Sequence, residues 1–128
     1  MKFPDQLKYT AEHLWVRYAE GGLCYVGITD YAQDLLGDIV YVEAPTPGQK
    51  IEAGEPCGLV ESVKTGSDLH APLSGTVEVV NEALQQQPEQ INDDPYASWI
   101  FSFRPENVEA HNTLLSADAY QKLLGENQ

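Results

Sequence analysis

The 128-residue sequence is short of positive charge, of cysteine and of long apolar runs. Seven Lys and Arg against 20 Asp and Glu give a formal charge of -13. Binding to a phosphate backbone draws its affinity from Lys and Arg displacing counterions, and no local basic cluster offsets the deficit, so nucleic acid is not an expected partner. No apolar run reaches the length of a membrane span. Met1-Lys2-Phe3-Pro4-Asp5 has neither the apolar core of a signal peptide nor the Arg-rich pattern of a transit peptide. The chain therefore reads as soluble and cytoplasmic, with no membrane partner. Cys24 and Cys57 stand outside any CxxC pattern and read as small buried hydrophobes in a reducing compartment.

The common local marks of catalysis are missing as well. His13, His70 and His111 show no HExxH or other close metal-ligand spacing, and neither cysteine belongs to a ligand pair. There is no GxSxG elbow, no GxxxxGK[ST] loop and no GxGxxG turn. Asp93-Asp94 ahead of Pro95 reads as a solvated turn rather than an acid/base pair. Neither a catalytic residue nor a metal site is expected, and the chain reads as a non-enzyme.

What is present is a mainly β pattern in one domain spanning 1–128, long enough to bury about two-thirds of its unfolded surface without disulfides or metal. Leu14, Val16 and Tyr18 alternate with Trp15 and Arg17, which predicts a half-buried strand with the first three on its core face. Glu20-Gly21-Gly22 marks a turn, and residues 23–28 form the return strand of a hairpin. Thr29 is placed to cap a short helix, Asp30 puts a negative charge on its first turn, Ala32, Leu35 and Leu36 recur at helical spacing, and Gly37 ends it. A strand over 38–43 stops at Pro45-Thr46-Pro47-Gly48. From 49 to 80 the chain reads as short strands broken by glycines, with a weak similarity between 48–52 and 75–79 that suggests two similar half-sheets. Residues 81–84 predict one helical turn, Gln85-Gln86-Gln87-Pro88 a polar loop, and 99–103 a last strand. Ser116 caps a C-terminal helix with Tyr120, Leu123 and Leu124 on one face; Leu115 staples against Tyr120, and Gly125 closes it.

Within this frame, 58–63 and 67–71 flank a hairpin tip, Val63-Lys64-Thr65-Gly66, in which Gly66 is free to take positive φ and tighten the connection. Lys64 thus stands on a rigid support with its amine outward, as a lysine acylated by another enzyme requires. Glu61 and Asp68 bracket it with negative charge and offer a modifying enzyme charged handles. A biotinyl carrier would flank such a lysine with Met, and the one Met here is Met1. An acyl carrier protein would present Asp-Ser-Leu at a helix start, whereas Ser67-Asp68-Leu69 has another order and lies among strands.

Glu61-Ser62-Val63-Lys64 followed by Ser67-Asp68, Ala71-Pro72 and Ser74-Gly75 resembles the lipoylation hairpin of the glycine cleavage system H-protein family. Flanking segments agree over nearly the whole chain: Glu12-His13-Leu14-Trp15-Val16, Val26-Gly27-Ile28-Thr29-Asp30, Leu36-Gly37-Asp38-Ile39-Val40, Asn81-Glu82-Ala83-Leu84, Ile91-Asn92 and Pro95-Tyr96. The resemblance implies a barrel-sandwich hybrid of lipoyl-domain-like antiparallel sheets, with short peripheral helices and a C-terminal helix. It also implies lipoate in amide linkage to Lys64, with Glu61, Ser62, Val63 and Asp68 as the recognition surface, and an aminomethyl group shuttled between enzymes of glycine cleavage. The implied partners are a pyridoxal-phosphate glycine decarboxylase, a folate-dependent aminomethyltransferase, a dihydrolipoamide dehydrogenase, and a lipoate ligase or lipoyl transferase.

Three departures from the family accompany the match. Tyr31 stands where many members carry His, and a phenol does not titrate near neutral pH. His70 replaces the usual Tyr two residues before Pro72, and 95–99 lacks the glycines that commonly precede this Trp. Glu12, Tyr31 and His70 are candidate contacts of the arm. Two other readings stay open on the sequence: an H-like lipoate-binding protein of a heterodisulfide-reductase-like sulfur oxidation complex, and an unmodified β interaction domain.

Overall fold

The computed structural model describes residues 1–126; Asn127 and Gln128, the last positions of the expected domain, lie outside the described residues. In chain order the strands and α-helices are β1 (Lys8–Tyr9), β2 (Leu14–Tyr18), β3 (Cys24–Ile28), α1 (Asp30–Leu36), β4 (Ile39–Glu43), β5 (Lys50–Ile51), β6 (Pro56–Ser62), β7 (Gly66–His70), β8 (Gly75–Val80), α2 (Ala83–Gln86), α3 (Gln90–Asp93), β9 (Phe101–Pro105) and α4 (Ala117–Glu126). Two antiparallel sheets result, a six-stranded one in the order β1-β2-β3-β9-β8-β5 and a three-stranded one in the order β4-β6-β7. No helix among the described residues is long and apolar enough to cross a membrane.

The β2–β3 hairpin forms as its alternation predicts, with Tyr18 opposite Cys24 at the turn and Leu14 opposite Ile28. Its burial differs from the one-faced expectation. Leu14 and Val16 enter the main core with Val26, Val60, Leu69, Phe101 and Phe103. Trp15, on the other face, is also fully buried, in a second cluster with Tyr9, Tyr120 and Leu124. The helix α4 covers the face that a single hairpin would leave wet, and Tyr18, beyond that cover at the strand end, is exposed.

Two further expectations are corrected. The similar segments around residues 50 and 76 do not build separate half-sheets; they pair with each other, Lys50 opposite Thr76 and Ile51 opposite Gly75. A side chain on Gly75 would collide with the Arg104 carbonyl, so the close approach of β8 and β9 depends on its absence. Gly125 does not close α4 either, because the helix continues to Glu126 and the glycine keeps a negative φ. The segment expected as a polar loop contains the end of α2, and α3 follows without an apolar period to announce it. The last strand begins two residues later than expected, at Phe101.

Candidate functional site

The turn that carries Lys64 is built by Ser62. Its backbone N–H donates to Thr65 O (2.8 Å), and its hydroxyl oxygen accepts from the N–H groups of Lys64 and Thr65 (3.1 Å each) while donating to Thr65 O (3.2 Å). Gly66 does not take the expected positive φ; it opens β7 opposite Glu61. The side chain of Ser62 thus does what a left-handed glycine was expected to do, as hydroxyls do in tight turns.

The hairpin leans on the end of α1. Val63 N–H donates to Asp38 O (3.0 Å). The stem of Lys64 crosses Gly37, where a Cβ would lie 3.3 Å from Cε and 3.6 Å from Nζ. Gly37 adopts φ 82° and ψ -150°, a conformation almost confined to glycine, so the same residue ends α1 and leaves a flat bed for the lysine. The Lys64 amine is exposed, and among the described residues no carboxylate pairs with it. Glu61 and Asp68, the expected flanking acids, are both exposed on the hairpin strands.

Beside the hairpin, a bulge inserts Val40 into β4 between the Ile39–Ser62 and Tyr41–Glu61 pairs. The extra residue turns two consecutive apolar side chains outward, Val40 at 51% and Tyr41 at 44% exposure. Val63 at the tip is 66% exposed, and Leu35 on α1 is 56% exposed. Exposed apolar side chains thus stand on the tip, on β4 beside it and on α1, with Glu61 opposite Tyr41 and Asp38 bonded to the tip.

Between α1 and the hairpin lies a cleft of ≈ 100 Å³. Its walls are Leu14, Ile28, Leu35, Leu36, Val60 and Leu69, while Glu12, His13, Ser67 and Asp68 supply polar groups. Glu12 and Asp68 are thus brought together at one cleft from distant parts of the sequence. Tyr31 and His70 do not line it. Tyr31 stands on another side of α1, its ring 4.9 Å from that of His13, and borders a groove with Phe3 and Leu124. His70 stands at the base of the hairpin opposite Pro56, at the end of β7 away from the Lys64 turn, with a buried Nδ1 that has no hydrogen-bond partner among the described residues.

His13 is the residue that sequence reasoning passed over. It has φ 72°, a left-handed conformation that costs a non-glycine residue about 1–2 kcal/mol. Its carbonyl accepts from Thr29 N–H (3.0 Å), and Nδ1 lies 2.8 Å from the Tyr120 hydroxyl, itself 2.8 Å from Thr29 Oγ1. Thr29 caps α1 as expected, accepting from Ala32 N–H (3.2 Å). Burial lowers the His13 pKa below the ordinary imidazole value, against a raising influence of Glu12. Burial pushes Tyr120 up to about 12, with the Thr29 bond acting the other way. With the ring neutral and its proton on Nε2, one consistent chain of donors runs from Tyr120 O–H to His13 Nδ1, from Thr29 O–H to the Tyr120 oxygen, and from Ala32 N–H to Thr29 Oγ1. The one sequence signal was the adjacency of His13 to Glu12, and nothing local announces a partner 107 positions away.

Neither cysteine joins the site. Burial raises the thiols of Cys24 and Cys57 to about 11, which keeps both protonated at neutral pH. Among the described residues no group of three His, Cys, Asp or Glu is placed to hold a metal.

The family model described as glycine cleavage H-protein matches residues 7–127. A glycine cleavage system H protein of Methylobacillus flagellatus is 68% identical over 125 residues, covering 98% of this chain and 100% of that one. One from Bacteroides thetaiotaomicron is 51% identical, over 97% and 98% of the two chains. The crystal structure of a glycine cleavage system H protein from Mycobacterium marinum superimposes with a TM-score of 0.87 at 44% identity, covering 95% and 98%. The sulfur-oxidation reading and the unmodified interaction domain find no support among these relatives. Its antiparallel sheets, its Lys64 hairpin and this agreement along its length place the chain in the glycine cleavage H-protein family.

Proposed function

We propose that Lys64 is the lipoyl attachment site and that residues 1–128 act as one lipoyl-carrier domain in the cytoplasm. Proteins of this family are non-catalytic carriers with lipoate joined covalently to a lysine, and they work with the other enzymes of glycine cleavage. The observation that carries the reading is an exposed amine, without a carboxylate partner among the described residues, on a turn locked by Ser62 and beside a cleft with apolar walls. Those walls suit the hydrocarbon and dithiolane of lipoate. Lipoate held on Lys64 would supply a disulfide able to take up a one-carbon amine unit together with two electrons from the glycine decarboxylated on a partner enzyme, and that organic chemistry belongs to the cofactor and the partners.

The chain's own contribution is presentation and shelter. Ser62 fixes the turn, Gly37 leaves room for the stem, and Val63, Val40, Tyr41 and Leu35 offer a partner apolar contact around the lysine. The nearby carboxylates favour encounter with basic rims, an effect that weakens with salt. Glu12 and Asp68 at the cleft suit a cargo that carries an amine, with Tyr31 off the cleft against the His13 ring and His70 set apart. The expected partners are the pyridoxal-phosphate decarboxylase, the folate-dependent aminomethyltransferase, the dihydrolipoamide dehydrogenase and the lipoate-attaching enzyme.

Intact mass after incubation with lipoate, ATP and a lipoate ligase tests the attachment. One lipoyl group is expected on the wild type and none on Lys64→Ala. A wild type left unmodified, under conditions that modify a control carrier, sinks the reading. The lipoylated protein should also support exchange of labelled bicarbonate by glycine decarboxylase, and full modification without exchange would overturn the pathway.

A further inference from the structure

The bed on which the hairpin rests is itself held from the opposite side by one side chain. Asn92, half-buried on α3, accepts from Ile39 N–H through Oδ1 (2.9 Å) and donates through Nδ2 to Gly37 O (2.8 Å) and to Gln33 Oε1 (3.0 Å). Its amide oxygen and both of its N–H groups are thus engaged. The residue between its two backbone partners is Asp38, whose carbonyl receives Val63 N–H, and Gly37 is the residue under the Lys64 stem. A segment of three residues therefore has one face gripped by Asn92 and the other face carrying the hairpin tip.

We propose that Asn92 is a positioning residue for the lysine hairpin: by fixing residues 37–39 it sets the place from which Lys64 is presented. The proposal rests on the reading of Lys64 as the attachment site. The buried Ile39 side chain and its pairing with Ser62 hold the far end of this segment, whereas the Gly37 end has less to fix it. Gly37 lies in a glycine-only conformation, α1 has ended, and the β4 pairing is interrupted by its bulge just after Ile39. Only Gln33, through its carbonyl bond from Gly37 N–H (2.9 Å), adds a tether from the helix side. An amide is needed at position 92 because the segment presents one donor and one acceptor to it, and a carboxylate would set negative charge against the Gly37 carbonyl.

The test compares wild type, Asn92→Ala and Asn92→Asp in the unmodified full chain. Hydrogen exchange at the Val63 amide, followed by NMR, should be about three- to tenfold faster in Asn92→Ala, the range of one net hydrogen bond. Amides of β3 should change only in step with the unfolding midpoint. In lipoylation by a lipoate ligase, KM for the protein should rise about three- to tenfold at constant kcat, because the ligase meets the competent hairpin as a smaller fraction of the population. Asn92→Asp, which keeps an acceptor for Ile39 but loses both donors, should shift both readouts in the same direction.

Unchanged Val63 exchange, unchanged KM, or an equal loss of protection across β3 and the hairpin would overturn the proposal. So would failure of both variants to fold, since Asn92 would then belong to the stability of the whole. Absence of lipoylation in the wild type would strike the Lys64 reading instead, and the exchange rates would decide the role of Asn92 without it.

Discussion

At the N-terminal end of α1, Thr29 is fully buried and bonded to Tyr120, whose ring stacks on Tyr9 at 4.9 Å between centroids and an angle of 5°. At the C-terminal end of the same helix, Gly37 is bare of side chain, lies under a solvated lysine and is held by the amide of Asn92. One end is fixed by packing, in which many small contacts restrain the helix from all sides. The other is fixed by a few directional bonds, which can define a position while leaving the neighbouring amine in water. A carrier needs both, since a fully packed lysine could not be reached and a fully loose one would have no defined place.

Deleting packing from the aromatic side is the strongest way to break the contrast. Trp15→Ala removes a fully buried ring that packs against Gly27 and donates to Pro95 O (3.0 Å), and it should cost about 3–5 kcal/mol in urea unfolding. Lipoylation of the protein that remains folded should stay within about twofold of wild type if the two ends are independent. A parallel collapse of lipoylation would merge them.

Ser62→Ala applies the reverse cut. It removes one hydroxyl that makes three bonds in an exposed turn, so the unfolding free energy should fall by no more than about 1 kcal/mol. Lipoylation should nonetheless slow by about three- to tenfold in steady-state assays, as the turn samples other shapes. A wild-type rate would show that the turn needs no side-chain lock.

The smallest effect is pH-dependent and sits where the two regions meet, at His13. Its folded pKa is lowered from 6.5, so below that value the unfolded chain takes up a proton that the folded chain declines. Stability contributed by the neutral ring is complete above about pH 6.5 and falls as pH drops toward the lowered pKa. Asn at this position tolerates the left-handed backbone, so His13→Asn should flatten that part of the stability profile. Identical slopes in both proteins, measured by urea unfolding from pH 7 to pH 5, would remove His13 from the account.

Local chemistry made much of the fold legible. The β2–β3 hairpin, the Thr29 cap, the glycine at the end of α1 and the lysine turn all follow from residues within a few positions of one another. Ser116, whose hydroxyl accepts from Ala119 N–H, caps α4 for the same reason. What stayed hidden depends on neighbours far along the chain. A period of two assigned Trp15 to the wet face because it cannot foresee a helix a hundred residues later. At the candidate site the lysine and its flanking acids were readable, while the cleft needed Glu12 and Asp68 brought together by folding. The grip of Asn92 on Gly37 spans 55 positions and left no trace in local periodicity. The Gly66 expectation erred for a different reason, since a serine hydroxyl can tighten a turn as well as a positive φ can.

The position of β9 in the sheet has a consequence for the order in which the chain can assemble. The six-stranded sheet consists of β1-β2-β3 on one side and β8-β5 on the other, and β9 alone joins them, pairing Val26 with Phe101 and Val77 with Phe103. The lysine hairpin, by contrast, closes between Glu61 and Gly66. Loop closure for the hairpin is short-range, whereas the sheet must wait for residues 101–105 to be synthesised. A nascent chain that ends before Phe101 already contains all of β6, β7 and Lys64, but two sheet fragments have nothing between them. The acceptor turn can therefore exist before the body that will present it.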